Sequence, residues 1–171
     1  MVQPQRYHWY RALVGAMAVY GYSPAILTAG CSECAPVWNW PTERIVRFFV
    51  AWQLVDASIQ IARVVPEITS AFRCPPCNER RDGAPESGHM ADMGGEPYAA
   101  FDIEFPWRAD QMRVLKWVNA NGQKNAFGDL LRAWTGLDLH AGVIFYNGSP
   151  RIHLDIRDYD WLKIYGGVGS V

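Results

Sequence analysis

Apolar residues recur at the spacing of one helix face through Ile45, Phe48, Phe49, Trp52, Val55, Ile59 and Ala62, with Arg44, Arg47, Gln53, Gln60 and Arg63 largely on the other faces. Pro41-Thr42-Glu43 supplies a start signal and Pro66 a stop. The pattern predicts a core helix whose Trp and Phe stripe serves packing rather than ligand binding. The spacing then changes to the period of two that marks strands, predicted over 68–72 and 100–105. Helices are predicted over 108–121 and 124–134, separated by Asn119-Ala120-Asn121-Gly122. The strands 142–146 and 151–156 flank Asn147-Gly148, a strong hairpin signal. The order helix, strand, loop, strand, helices, hairpin predicts an α+β fold, a small antiparallel sheet covered by helices.

The N-terminal part has a different texture. Arg6 and Arg11 precede a stretch from Ala12 to Ser32 without a charged residue. Arginine followed by an apolar run and small residues, Thr28-Ala29-Gly30, has the layout of an export signal, and Leu27 to Cys31 approaches a lipoprotein cleavage site. Tyr20-Gly21-Tyr22-Ser23-Pro24 interrupts the run, which suits a helix and loop packed on the domain better than a spanning helix. We therefore divide the chain into an N-terminal apolar segment, residues 1–40, and a domain over residues 41–171. Membrane contact is expected only if the first segment is an anchor.

Composition narrows the partners. Half of the 171 residues are apolar, enough for a sizeable core, and the net charge is −1. With a pI near 6.4 and no long basic run, nothing favours a nucleic-acid partner. A monomer is expected.

Candidate chemistry gathers in three short stretches, Ser87-Gly88-His89, Phe101-Asp102-Ile103 and Arg151-Ile152-His153-Leu154-Asp155. Two imidazoles and a carboxylate are the ligand set of a catalytic zinc, three protein groups with one position left open. In a strand, His153 and Asp155 share a face and Ile152, Leu154 and Ile156 take the other. Asp155 has three roles open to it: orienting His153, a supporting hydrogen bond, or the general base. Arg73 ends a strand, where its guanidinium fork suits a carboxylate or a developing oxyanion, or a plain salt bridge to Glu67 or Glu79. Asp92, Glu96, Asp138 and His140 are lesser candidates for the same site. The four cysteines form two CxxC pairs, Cys31 with Cys34 and Cys74 with Cys77. Tetrahedral zinc, disulfides between the pairs, or free buried thiols all fit that spacing.

Read in order, Glu67 to Arg73, Asn78, Gly83 to His89, Ala100-Phe101-Asp102-Ile103, Gly142 to Tyr146, Arg151 to Arg157 and Trp161 resemble zinc D-Ala-D-Ala peptidases of the hedgehog-like metallopeptidase fold. The likeness covers just over half the chain. It implies zinc on His89, Asp102 and His153, and a substrate held by Arg73 and Ser87. Asp155 would be the base, and a metal-activated water the nucleophile. The substrate would be a peptidoglycan stem peptide, cut by a carboxypeptidase or murein endopeptidase in the cell envelope or delivered to the wall by a phage. The chain departs from many relatives in a longer interval from His89 to Asp102, in Tyr98 where a glycine is usual, and in Pro150 where several carry an acid. Two other classes are carried beside this one: a zinc-containing cell-wall peptide binder without turnover, and a structural four-cysteine zinc protein.

Overall fold

The computed structural model describes residues 4–29, 31, 33–83, 87–93 and 99–165, with residue 4 and residues 91–93 described by backbone alone. Helices α1 (Pro4–Ala18) and α2 (Thr42–Ala62) precede strand β1 (Glu67–Ser70) and the short α3 (Pro75–Glu79). Strand β2 (Ala100–Glu104) leads to α4 (Arg108–Ala120) and α5 (Ala126–Thr135), then β3 (His140–Tyr146), β4 (Arg151–Arg157) and β5 (Trp161–Tyr165). This is the α+β arrangement that the pattern predicted.

Helix α2 is the central packing element. It starts after Pro41 and ends at Arg63, which adopts the left-handed conformation at φ 59° and donates its N–H to the Ile59 carbonyl. Phe48 and Trp52 meet Phe101 of β2 edge-on, at ring-centroid distances of 5.5 and 5.8 Å. Its length and apolarity are those of a membrane span, but Ile45, Phe48, Ala51, Trp52, Leu54 and Val55 are buried within the fold. Helix α1 lies on α2, and its Leu13 and Met17 are fully buried in the same core as Phe48 and Leu154. The packed-helix reading of residues 4–18 thus describes their placement, while Gly30 and Ser32 of the cleavage-like stretch lie outside the described residues.

The sheet runs in the order β1-β2-β4-β3-β5. β1, β2, β4 and β3 pair antiparallel, but β5 pairs parallel with β3, which corrects the expectation of an all-antiparallel sheet. A hairpin joins β3 to β4 at Asn147-Gly148 as expected, with Gly148 at φ +92° where a side chain would be strained. Phe101, Ile103, Ile152, Leu154, Val143 and Phe145 are all buried and alternate with the residues of the other face. On that other face, register sets Ser70, Asp102, His153 and Ile144 in one row across four strands. The adjacent row is Ala100, Asp155, Gly142 and Trp161. Two of the three candidate metal ligands are therefore direct cross-strand neighbours on interior strands.

Candidate metal centre

Alternation in β2 and β4 places Asp102 and His153 on one face, and pairing makes them partners: His153 Nδ1 lies 2.7 Å from Asp102 Oδ1. The third group, His89, comes from a six-residue 3-10 segment, Gly88–Met93, laid over that face. Gly88 permits the approach, because a Cβ there would stand 3.2 Å from the Ala100 Cβ and 3.5 Å from the Asp155 carboxylate. His89 Nε2 lies 3.1 Å from Asp102 Oδ2, and the ligand atoms of His89, Asp102 and His153 all fall within 4.8 Å of one another.

Each ring is held from behind. His89 Nδ1 is 2.6 Å from the Ala71 carbonyl, so Nδ1 carries the hydrogen and Nε2 is left as the lone-pair donor. His153 Nε2 is 2.9 Å from Asp155 Oδ2, which leaves Nδ1 toward Asp102. Asp155 is itself gripped by Arg157, whose Nε and Nη2 donate to its two oxygens at 2.7 and 2.6 Å. The Arg157 guanidinium in turn lies over the Trp161 ring, 4.3 Å from its centroid. Gly142 makes room for this stack: a Cβ there would lie 2.1 Å from Asp155 Oδ1, 2.2 Å from Trp161 Nε1 and 2.4 Å from Arg157 Nε.

The electrostatics follow from burial and pairing. Burial lowers His89 below its ordinary value, outweighing the neighbouring Asp102 charge. Burial opposes charge on His153 too, but hydrogen bonds to Asp102 and Asp155 prevail and push it up to about 9. Burial would raise Asp102, yet the two imidazoles hold it well below the usual carboxylate range. A half-buried carboxylate facing two buried rings is a site built for positive charge.

Arg73 reaches the same carboxylate. Its Nη2 is 3.3 Å from Asp102 Oδ2 and its Nε donates to Ser70 Oγ at 2.9 Å, so its partner is neither Glu67 nor Glu79. β1 stops at Ser70, so Arg73 lies three residues past the strand it was expected to end, and its N–H donates to the His89 carbonyl at 2.8 Å, joining that stretch to the ligand segment. Ser87 Oγ accepts the His89 N–H at 3.3 Å, leaving its own hydrogen for another acceptor.

Of the roles open to Asp155, the geometry supports orientation of His153. It is 1% exposed, both its oxygens accept hydrogen bonds, and it sits across the ring from Asp102. His140 and Asp138 do not join the centre; His140 pairs instead with Asp160 and Asp138, at 3.3 and 3.5 Å. They line a separate cavity of about 380 Å³ beside Val46, Val50 and Leu139, to which none of the three ligands contributes. The Asp92 side chain, Glu96, Tyr98 and the rest of 94–98 lie outside the described residues, as do residues 84–86. All four cysteines meet at a second point, with every sulfur within 4.8 Å of the others.

Sequence reasoning missed the backbone carbonyl of Ala71, Ser70, and the space kept by Gly142. Arg157 was legible, because it stands two positions from Asp155 on the same strand face. Tyr146 was quoted without a role; it is half-buried and stacked on Tyr165 with centroids 5.7 Å apart. Burial and the Asp102 charge both raise its phenol. No family model matches the chain, and no curated protein or solved structure matches it either.

Proposed function

We propose that this protein is a zinc-dependent peptidase acting on peptidoglycan stem peptides, as a D,D- or L,D-carboxypeptidase or a crosslink endopeptidase at the cell envelope. The observation that carries the reading is the convergence of His89 Nε2, Asp102 and His153 Nδ1 within 4.8 Å. Two nitrogens and one oxygen, each ring oriented by a partner of its own, fit a zinc ion that keeps one position open. When bound, zinc supplies Lewis acidity that polarises a peptide carbonyl and makes water nucleophilic near neutral pH.

The protein's own residues supply the rest. Asp155, held by Arg157, fixes the tautomer and angle of His153. Arg73 places a fork of donors at the rim of the centre, suited to the carboxylate of a stem peptide or to the oxyanion that develops at the cut bond. Ser87 holds the backbone of His89 and can offer its hydroxyl hydrogen to the substrate. Asp155 takes a positioning part and not proton transfer, because its oxygens already serve His153 and Arg157.

That occupancy also favours a second reading, a zinc-holding binder of cell-wall peptides without turnover. Incubation with a D-Ala-D-Ala peptide, with and without chelator, separates the two. The peptidase reading expects hydrolysis that chelator abolishes and zinc restores; full activity in excess chelator refutes it. Zinc-dependent binding with no product would establish the binder, and neither binding nor turnover would remove both.

A further inference from the structure

We propose that Cys31, Cys34, Cys74 and Cys77 form a four-thiolate zinc site, separate from the histidine centre, that ties the N-terminal segment to the stretch after β1 that carries Arg73. Every cysteine of the chain is in this cluster. Cys31 and Cys34 follow the 3-10 turn Pro24–Thr28, whereas Cys74 caps α3 and Cys77 lies within it. Two distant segments thus bring all their sulfurs to one point.

The spacing suits a metal. All four sulfurs are within 4.8 Å of one another, and Cys31 Sγ is 3.4 Å from Cys74 Sγ. A tetrahedral zinc with bonds of about 2.3 Å sets its thiolates about 3.8 Å apart. None of the four is in a disulfide, and Cys34, Cys74 and Cys77 are 9%, 8% and 3% exposed. Two hydrogen-bond donors point at sulfur. The Cys74 N–H donates to Cys34 Sγ at 3.3 Å, and Arg80 Nη2 donates to Cys77 Sγ at 3.7 Å. Glu33 fixes that guanidinium through both carboxylate oxygens, at 3.0 and 3.1 Å. Donors aimed at sulfur and a soft all-sulfur ligand set select zinc over hard cations.

The position gives the site its purpose. Arg73 immediately precedes Cys74, and the Phe72 N–H donates to the Leu27 carbonyl at 2.9 Å. A metal at the cysteines therefore closes a loop from the N-terminal segment to residues 72–77, and through the Arg73 N–H to His89. The site stands without the peptidase reading; only its bearing on substrate rests on that reading.

The test counts zinc in the full chain and replaces zinc by cobalt. Wild type is expected to hold two zinc ions, and the His89→Ala plus His153→Ala variant one. Both cobalt forms should show an intense near-ultraviolet thiolate charge-transfer band. Cys74→Ser plus Cys77→Ser should lose that band. In wild type, emptying the cysteine site should also speed hydrogen exchange at the Arg73 amide by about tenfold or more. Cobalt without the band, or a denatured wild type whose thiols titrate only after reduction, would overturn the proposal, the second by showing disulfides. Zinc at the cysteines in a protein with no hydrolytic activity would sink the peptidase reading and leave this one standing.

Discussion

Asp155 and His153 make the sharpest single-residue case. A carboxylate that only orients a liganding ring acts through metal affinity, and losing such a partner typically costs about 10–100-fold. Asp155→Asn is therefore expected to weaken zinc binding at the histidine centre by about that factor, with hydrolysis restored by excess zinc. Competition with a chelating dye measures the first and a zinc titration of turnover the second. Unchanged affinity with abolished turnover would return the base role to Asp155. His153 has a pH signature as well. Without metal, its folded value of about 9 stands above the ordinary 6.5. The protonated ring then contributes stability in full below pH 6.5, and that contribution is lost as the pH rises through about 9. Melts of metal-free protein should show Tm falling across that window, and an NMR titration of the His153 ring should give a midpoint near its upper end. A midpoint at 6.5 would show that the two carboxylates do not hold the proton.

Strand β3 shows what register adds to pattern. Gly142 faces Asp155 across the β3–β4 pair, and the volume a methyl would need is taken by Asp155, Arg157 and Trp161. Gly142→Ala is expected to cost about 1–3 kcal/mol, the usual range for overpacking, and to weaken zinc binding by moving Asp155. Denaturant unfolding and the same dye competition check this; unchanged values in both would mean the stack yields freely. Nothing local announces that glycine, because its neighbour exists only once two strands pair. By contrast, β4 was readable: Ile152, Leu154 and Ile156 against His153 and Asp155 is a plain period of two. Helix α2 was equally readable from its apolar face and its flanking prolines. Strand β5 was not, since its residues are half-buried or exposed and show no alternation of burial. The CxxC spacings were visible at once, whereas the meeting of the two pairs depended on a chain reversal that no spacing encodes.

Across the whole molecule, helix α2 and the histidine centre occupy opposite sides of the sheet. Helix α2 fills one side of the sheet with Phe48 and Trp52, while the other side carries Asp102, His153 and Asp155 beneath the 3-10 segment. The apolar face pays for a sheet stiff enough to present polar groups in fixed rows. Asp102 and His153 are set once β2 and β4 zip together, and only unzipping interior strands would part them. His89 rides on a short 3-10 segment, moored by the Ala71 carbonyl, the Ser87 hydroxyl and the Arg73 amide. Two donors are thus built in before any ion arrives, and the last is delivered by a short arm. An ion's residence time at this centre would then be governed by how often that arm lets go, and two of those moorings, at Ala71 and Arg73, lie in the short stretch that leads from β1 to Cys74.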